Sequence, residues 1–330
     1  MNDVAKLAGV SQTTVSFVVN NTPNTGIPEE TRQRILAAIE ELGYRPNAFA
    51  KSLRLRRSQI IGLVTDSILT SPYAGKIIQG AQDAAKAAGK ILLFANTGGD
   101  PELEKADIDT MLEHQVDGLI YATMSHHEIT LLDSLSETLC VLLNCYDKDR
   151  LLPCVTPDEV KSALSATKIL LQKGHRRIGF VNCIENVPAS VGRLEGYKQA
   201  LEVYDVPFDE ELVCYGTSDQ DSAYECTKQL MQLSSPATAI FCFNDQMAMG
   251  VYQALCDLNL NIPDDVAVMG FDNLEIIAAY LRPKLSTIEL PHYDMGQWAV
   301  NFLVEHLEKE EWPKPIQHTI ECRYIERSSV

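Results

Sequence analysis

The segment DVAKLAGVSQTTVSFVVN, residues 3–20, decides the fold at the start of the chain. Apolar residues recur at helical spacing on both sides of Gly9, which interrupts the pattern. Ser11 can begin a second helix, because its hydroxyl can accept a hydrogen bond from a first-turn amide. The pattern predicts helices over 2–7 and 12–19, and two short helices joined by a glycine-containing turn are typical of a helix-turn-helix.

A third helix is predicted to begin at Pro28, which suits a first helical position. Glu29 and Glu30 would lie in its first turn, where they complement the helix dipole. Gly43 would end it. The helix has one predicted apolar stripe, formed by Ile35, Leu36, Ile39 and Leu42.

Charge is distributed unevenly along the chain. The whole sequence has a net charge of −17 at pH 7, yet residues 1–58 contain eight Lys/Arg against five Asp/Glu. The first segment is therefore net positive, and the remainder has a net charge of −20. A basic head on an acidic body directs the head toward phosphates and repels the body from them.

From Ile60 onward, short apolar runs alternate with amphipathic segments. Apolar runs separated by helices are typical of parallel sheets covered on both faces, and the two series of runs indicate two similar α/β lobes. Strands are predicted at 60–64, 91–95, 119–121, 139–143, 178–182, 239–243 and 266–270. Helices are predicted near 76–88, 103–114, 194–204 and 247–258, with another ending at Lys173.

The nine cysteines include no CxxC pair, and most lie in apolar segments. We expect small buried side chains in a reducing cytosol; disulfides or a metal site are the alternative. The sequence has no pattern typical of a signal peptide and no apolar run of about 20 residues. We therefore expect a cytoplasmic protein that does not enter a membrane.

Several motifs, in order along the whole chain, resemble the lac/galactose repressor family. They are DVAKLAGVS (3–11) with Thr14-Val15-Ser16 and Asn20, YRPNA (44–48), AKSLR (50–54), GHRRI (174–178), RLEGY (193–197), FCFND (241–245), GFDN (270–273) and the spaced residues Leu290, Pro291, Tyr293, Met295 and Gly296. The resemblance implies an all-α helix-turn-helix headpiece and an α/β two-lobed, periplasmic-binding-protein-like core with parallel sheets and helices on both faces.

The resemblance also implies the domain boundaries. The headpiece would span 1–46, a hinge helix and linker 47–58, and a ligand-binding and dimerisation core 59–330. Within the core, one lobe would comprise about 59–155 and 291–316, and the other about 157–286 and 320–330. The chain would cross between the lobes near 155–157, 285–290 and 316–320.

The resemblance places the DNA-reading residues on the second helix. Gln12 can pair with adenine and Thr13 can meet a thymine methyl, unless this is an ordinary polar helix face. Phe17 stands where the family usually has Arg, so we predict less dependence on guanine there. The implied DNA-binding set is Ser11, Gln12, Thr13, Thr14, Ser16, Phe17, Asn20, Asn47, Ala50, Leu53 and Arg54.

By the same resemblance, residues 47–54 form a helix on DNA, and Leu53 inserts into the minor groove as a wedge. Two copies must insert side by side, which implies a homodimer on a near-palindromic, double-stranded operator. The alternative is a plain linker leucine. Arg54, Arg56 and Arg57 would contact phosphates or simply form a basic linker.

A ligand cleft between the lobes would be lined by polar and planar groups. Such groups suit a polyhydroxylated effector. Asn244 and Asp245 have an alternative role as helix caps, Asp272 as a turn residue and Arg193 as a surface cation. The implied ligand-binding set is Asp66, Ser67, Tyr73 and Asn96 from one lobe, with Arg193, Asn244, Asp245 and Asp272 from the other.

The effector's identity stays open in the sequence. Residues 216–219 lack the aromatic that the family often uses to stack on its ligand; a sugar or sugar derivative is the main expectation, and a nucleobase or nucleoside the alternative. The sequence does not distinguish an inducer from a corepressor. A solute-binding protein would need a signal peptide, and no enzyme motif appears, so we expect neither catalysis nor a cofactor. His126 and His127 could reach the cleft, but we expect solvated side chains and no metal site.

Overall fold

A computed structural model describes residues 1–44, 57–71, 74–136, 138–309 and 314–330. The chain forms two compact units. The first comprises Met1–Ile60 with Gln115–Asp117, and the second comprises Ile61–His114 with Gly118–Val330. None of the helices in the described ranges has the length and apolar character needed to cross a membrane.

The first unit contains α1 (Asn2–Ala8), α2 (Gln12–Val19) and α3 (Glu29–Glu41). Gly9 follows α1 in the left-handed conformation, with φ of 66°. The backbone amide of Thr14 donates to Ser11 Oγ at 3.1 Å, so Ser11 caps α2. The helix-turn-helix prediction is confirmed.

The core of the first unit is small and lies between its three helices. Val4, Val15, Val18 and Ile35 are buried in it. Only half of the apolar stripe predicted for α3 faces this core. Ile35 and Ile39 pack against it, whereas Leu36 and Leu42 are exposed. Burial of α2 through its valines leaves the opposite side of that helix for other contacts.

The second unit begins with a six-stranded sheet, which we call sheet A. Its strands run in the order β11-β5-β4-β3-β1-β2. They are β1 (Ile60–Thr65), β2 (Ile91–Asn96), β3 (Gly118–Ile129), β4 (Cys140–Asp147), β5 (Cys154–Pro157) and β11 (Gln317–Ile320). The associated helices are α4 (Gly75–Ala87), α5 (Pro101–Glu113), α6 (Asp133–Ser136) and α12 (His292–Lys309), with a 3-10 turn at Ile68–Thr70.

The other six strands of this unit form sheet B, in the order β12-β10-β9-β8-β6-β7. They are β6 (Ile178–Cys183), β7 (Val213–Gly216), β8 (Ala239–Cys242), β9 (Ala267–Asp272), β10 (Ser286–Glu289) and β12 (Arg323–Ile325). Its helices are α7 (Glu159–Gln172), α8 (Pro188–Val203), α9 (Gln220–Met231), α10 (Asp245–Asp257) and α11 (Glu275–Ala278), with a 3-10 turn at Glu210–Leu212.

The two-lobed, largely parallel architecture expected from the sequence is confirmed. The described exception to parallel pairing is β12, which runs antiparallel to β10. The chain passes from sheet A to sheet B after β5, returns after β10 and crosses again after β11. Apolar side chains of α4 and α12 cover sheet A, while α7 and α8 pack on one face of sheet B and α9 and α10 on the other.

Two expectations about this unit are corrected. β3 was predicted to end near Tyr121, but it continues to Ile129 with an irregularity in its pairing after Ala122. Cys214 and Cys226 form a disulfide that links β7 to α9. The expectation of small buried cysteines holds for six others, listed here: Cys140, Cys145, Cys154, Cys183, Cys242 and Cys322. It fails for this pair because α9 packs against β7, which places the two Cα atoms 5.6 Å apart.

Candidate functional site

A cavity of about 440 Å³ lies where strand ends of sheet A face those of sheet B. Clefts of this size between two lobes are common small-molecule sites. Among the described residues its lining is Ser71, Met124, Ser125, His126, Asn144, Pro157, Glu159, Ala189, Arg193, Ser218, Phe243, Asn244, Gln246, Asp272, Leu274 and Leu290.

The irregular part of β3 brings its backbone to the cavity. Asn144, on the neighbouring β4, donates from Nδ2 to the carbonyl oxygens of Thr123 and Met124, both at 3.1 Å. Thr123 Oγ1 donates to the Asn144 carbonyl at 3.0 Å. These bonds fix the segment that carries His126 to the wall. The prediction that His126 is a solvated loop residue is wrong, because its side chain is only 13% exposed.

Arg193, on α8, is the central cation of the site. Its Nε donates to Glu159 Oε2 at 2.8 Å, and one Nη donates to the carbonyl of Phe243. Its guanidinium lies 4.4 Å from the centre of the Phe243 ring and 3.7 Å from that of Phe271. The alternative reading as a surface cation is wrong, because the side chain is only 4% exposed.

Glu159 is the first residue of α7, and its side chain is 5% exposed. Burial alone would raise its pKa, but the charge of Arg193, with a contribution from His126 at 3.9 Å, outweighs burial and lowers the pKa to about 2. Glu159 is therefore ionised at neutral pH. Its ionised form, together with Arg193, makes a buried ion pair in the cavity wall.

Asn244 and Asp272 reach the cavity from the carboxyl ends of β8 and β9. Asn244 caps α10 by accepting from the Met247 amide at 2.7 Å, and its Nδ2 donates to Ser218 Oγ at 2.8 Å. Asn244 is thus both the N-cap of α10 and part of the cavity wall. Asp272 has a φ of 104°. The distance from Asp272 Oδ1 to Arg193 Nη1 is 3.7 Å.

Four of the predicted ligand residues do not line this cavity. The Asp66 carboxylate instead accepts from the backbone amides of Ser67 and Met124, at 2.5 and 3.0 Å. Ser67 is absent from the lining, as is Asn96 at the end of β2. Asp66 therefore connects the segment after β1 to β3, behind the cavity wall. The remaining member of the set, Tyr73, lies outside the described residues.

Asp245 is the fourth predicted residue that does not line the cavity. It is wholly buried, and its carboxylate accepts from Thr287 Oγ1 at 2.6 Å and from the Leu274 amide at 2.7 Å. Burial raises its pKa to about 7, with the hydrogen bonds from Thr287 and Leu274 opposing that rise. Since Leu274 lines the cavity, Asp245 supports the wall from behind and does not form part of it.

Arg193, Asn244 and Asp272 are the predicted residues that the structure brings together. Sequence analysis did not assign Glu159, Ser218 or Gln246. A glutamate in a first helical turn is typical of a dipole-complementing residue, so nothing in the pattern distinguished Glu159. The one available signal for Ser218 was its place in a loop directly after a strand.

The candidate DNA face lies on α2 of the first unit. Val15 and Val18 are buried, whereas Gln12 and Thr13 are exposed, as is 38% of Phe17. Ser16 is partly buried, and Asn20 donates from Nδ2 to its carbonyl at 2.6 Å. Thr14 Oγ1 and Ser11 Oγ share a hydrogen bond of 2.9 Å. The hinge positions of the predicted set lie outside the described residues: Asn47, Ala50, Leu53 and Arg54.

Two family models together match almost the whole chain. Residues 1–47 match "Bacterial regulatory proteins, lacI family", and residues 58–328 match "Periplasmic binding proteins and sugar binding domain of LacI family". These matches correspond to the two parts that the sequence motifs distinguish.

Characterised relatives match the chain over its full length. It is 35% identical over 331 residues to the HTH-type transcriptional regulator RegA of Clostridium saccharobutylicum, covering 100% of this chain and 98% of the relative. It is 32% identical over 333 residues to the HTH-type transcriptional repressor PurR of Vibrio atlanticus, with the same two coverages.

Solved structures of similar proteins also match nearly the whole chain. The complex of the transcriptional regulator CelR with cellobiose has a TM-score of 0.70 and 26% identity, covering 99% of this chain and 98% of that one. The lac repressor dimer bound to operator has a TM-score of 0.81, with 99% of this chain and 97% of that chain covered. At 24% identity, the second likeness supports the fold alone.

Proposed function

This chain belongs to the lacI family of bacterial regulatory proteins and is a DNA-binding transcriptional regulator, and we propose that it is a repressor controlled by a sugar or sugar derivative bound in the cavity between sheets A and B. The observation that carries the proposal is the convergence of Arg193, Asn244 and Asp272 on one cavity of about 440 Å³. We also propose that it acts in the cytoplasm as a homodimer and catalyses no reaction.

The chemistry of the wall favours a sugar over a nucleobase. Amide, hydroxyl and carboxylate groups can each bond neighbouring hydroxyls of a polyol. A nucleobase is commonly held by stacking on an aromatic ring, and one face of the Phe243 ring is packed against the Arg193 guanidinium at 4.4 Å. Residues 216–219 contribute Ser218 to the wall and no aromatic ring. The bound cellobiose of the CelR structure is in keeping with this preference.

On the DNA side, we propose that the exposed face of α2 reads bases in the major groove. Gln12 and Thr13 lie at the start of the helix, the part that enters the groove in helix-turn-helix proteins. Their side chains are exposed because the valines of the same helix fill the core. The net positive charge of residues 1–58 supports the approach to phosphates.

Control of DNA binding by the effector follows from where the cavity lies. A ligand that contacts both sheet A and sheet B has a different affinity for each relative arrangement of the two sheets, so binding shifts their populations. Three passages of the chain between the sheets keep these arrangements few. We propose that the arrangement selected by the sugar sets the affinity for the operator.

The test combines thermal unfolding with DNA binding. Purified protein is screened with neutral sugars, sugar phosphates and nucleosides, and its operator is selected from random duplex DNA. A ligand present at about 100 times its Kd stabilises the folded state by about 2.7 kcal/mol, which a rise in Tm would reveal. A sugar that raises Tm and also changes operator affinity supports the proposal.

Two variants separate the sites. Arg193→Met should lose the sugar-induced rise in Tm and retain operator binding measured without sugar. Gln12→Ala should do the reverse, because it alters only the exposed face of α2. If Arg193→Met kept the full response to the sugar, the cavity would not be the effector site.

A further inference from the structure

One carboxylate holds the short segment through which residues 1–57 continue into β1. The backbone amide and the hydroxyl of Ser58 both donate to Asp117 Oδ1, at 2.6 and 2.9 Å. The backbone amide of Gln59 donates to Asp117 Oδ2 at 3.0 Å. Both oxygens of Asp117 are therefore engaged by two consecutive residues. We call Ser58, Gln59 and Asp117 the linker anchor.

Backbone hydrogen bonds and backbone conformation reinforce the linker anchor. The amide of Asp117 donates to the Ile60 carbonyl at 2.7 Å, and the amide of Ile60 donates to Ser58 Oγ at 3.1 Å. Gln59 has a φ of 64°, and a residue with a side chain keeps such a conformation only when its surroundings hold it. The bond from the Gln59 amide to Asp117 provides part of that hold.

The linker anchor lies where β1 and β3 begin. Asp117 ends the turn between α5 and β3, and the next residue, Gly118, is paired with Ile61 of β1 in the parallel ladder. Asp117 is not among the residues that line the cavity, and it does not belong to α2. Its hydrogen bonds therefore act on the chain between the DNA-reading helix and sheet A, and on neither binding face directly.

We infer that Asp117 is a positioning residue for operator binding, because it fixes the point from which the chain leaves β1 toward the DNA-reading helices. Without its carboxylate, Ser58 and Gln59 regain backbone freedom that operator binding must remove again. Release of two residues corresponds to a loss of about tenfold or more in operator affinity. The inference rests on the proposed operator binding and is independent of the identity of the effector.

The charge of Asp117 makes the sign of this effect informative. Removing a carboxylate makes the protein less negative, and this change alone strengthens its attraction to DNA phosphates. A merely electrostatic role of Asp117 therefore predicts tighter operator binding in Asp117→Asn. The linker anchor predicts weaker binding in the same variant.

The first experiment titrates full-length protein with an operator that the wild type has selected from random duplex DNA, at a temperature well below every Tm. Asp117→Ala should bind about tenfold or more weakly. Asp117→Asn should lie between it and the wild type, because an amide accepts through its oxygen and not through its nitrogen. Unchanged or tighter binding by Asp117→Ala overturns the inference.

Glu113→Gln is the matched control for charge. Glu113 is exposed at the end of α5, four residues before Asp117, and takes no part in the linker anchor. The variant makes the same change of charge as Asp117→Asn and should bind the operator as well as the wild type or slightly better. An equal loss of affinity in Glu113→Gln would overturn the inference.

The second experiment asks whether Ser58 and Asp117 act through one contact. Ser58→Ala removes the hydroxyl donor and should weaken operator binding less than Asp117→Ala does. The double variant should bind little more weakly than Asp117→Ala alone, because both substitutions break the same anchor. Additive losses would mean independent effects and would overturn the shared contact.

Hydrogen exchange keeps the inference testable if Asp117→Ala folds poorly. In the DNA-free wild type, the amides of Ser58 and Gln59 should exchange more slowly than in Asp117→Asn, which retains a carbonyl acceptor. Equal exchange rates in the two proteins would show that the carboxylate does not hold this segment. A wild type that selects no operator contradicts the proposed DNA reading itself, whereas a wild type and variants that bind one operator equally contradict only the role of Asp117.

Discussion

Asp245 is a buried residue that supports a cavity wall without lining the cavity. Its carboxylate is wholly buried and bonded to Thr287 and to the amide of Leu274, which lines the cavity. The sequence predicts Asp245 as a ligand residue or a helix cap. In the structure Asn244 makes the cap and also lines the cavity, whereas Asp245 is not among the residues that line it.

Burial of Asp245 predicts a dependence of stability on pH. Its pKa is raised to about 7 in the folded state, above an unfolded value of about 3.9. Between these values the folded state binds more protons than the unfolded state, so the free energy of unfolding falls as pH rises from about 4 to 7. The loss attributable to this group is up to about 4 kcal/mol.

Denaturant unfolding of the wild type and of Asp245→Asn at several pH values measures this effect. The variant should lose that part of the slope between pH 4 and 7, since an amide has no proton to release. Parallel curves for the two proteins would show that Asp245 titrates normally.

Phe17 carries a prediction about sequence preference. It exposes 38% of its surface on α2, beside Gln12 and Thr13, and a phenyl ring has no donor for guanine. Sites selected from random DNA should show no required guanine opposite Phe17. Phe17→Arg should create that requirement, with about 1–3 kcal/mol of discrimination. A guanine required by the wild type at this position would contradict the prediction.

At the scale of elements, the crossing of α7 and α8 depends on Gly196. A Cβ at this position would lie 2.7 Å from the Leu164 amide nitrogen and 2.9 Å from Ala163 Cβ. Gly196→Ala should therefore force the helices apart and destabilise the fold by about 1–3 kcal/mol, despite the better helix propensity of alanine. Denaturant unfolding measures the change.

Gly75→Ala is the matched control for that substitution. Gly75 is also helical, at the start of α4, but a Cβ there meets nothing within 4 Å. The control should be neutral or slightly stabilising. Equal effects of the two substitutions would mean that helix packing does not limit position 196.

The disulfide between β7 and α9 gives a second prediction for elements. Cys214 and Cys226 are 12 residues apart, and closing a loop of that length restricts the unfolded chain enough to contribute about 3 kcal/mol. A reductant should lower the Tm of the wild type. Cys214→Ser should unfold at a lower temperature and show no further response to reductant, whereas a wild type indifferent to reductant would mean that the bond contributes nothing.

Most elements could be predicted from the sequence because each apolar run is bounded by turn residues. β3 could not, since its extension past Ala122 depends on Asn144 of the neighbouring strand bridging two of its carbonyls. The disulfide was missed for a similar reason. Its cysteines are adjacent only after α9 packs against β7, and no spacing rule encodes that packing.

At the scale of the whole molecule, the candidate site joins positions that are far apart in sequence. Arg193, Asn244 and Asp272 could be predicted because family motifs name them. Glu159 and His126 could not, because their roles depend on the ends of β3 and α7 facing α8 across the cavity. The charge of the site is therefore a property of the folded second unit that no segment shows alone.

A regulator of this kind must couple its two ligands reciprocally. If the sugar changes operator affinity by a given factor, the operator must change sugar affinity by the same factor, because both bias one conformational equilibrium. We expect a factor of about 5–150, measured by titrating labelled operator with and without saturating sugar and then sugar with and without operator. Asp272→Asn should weaken sugar binding while leaving the sugar-free operator affinity unchanged. Unequal factors in the two titrations would place an additional binding event, such as a change in oligomeric state, between sugar and DNA.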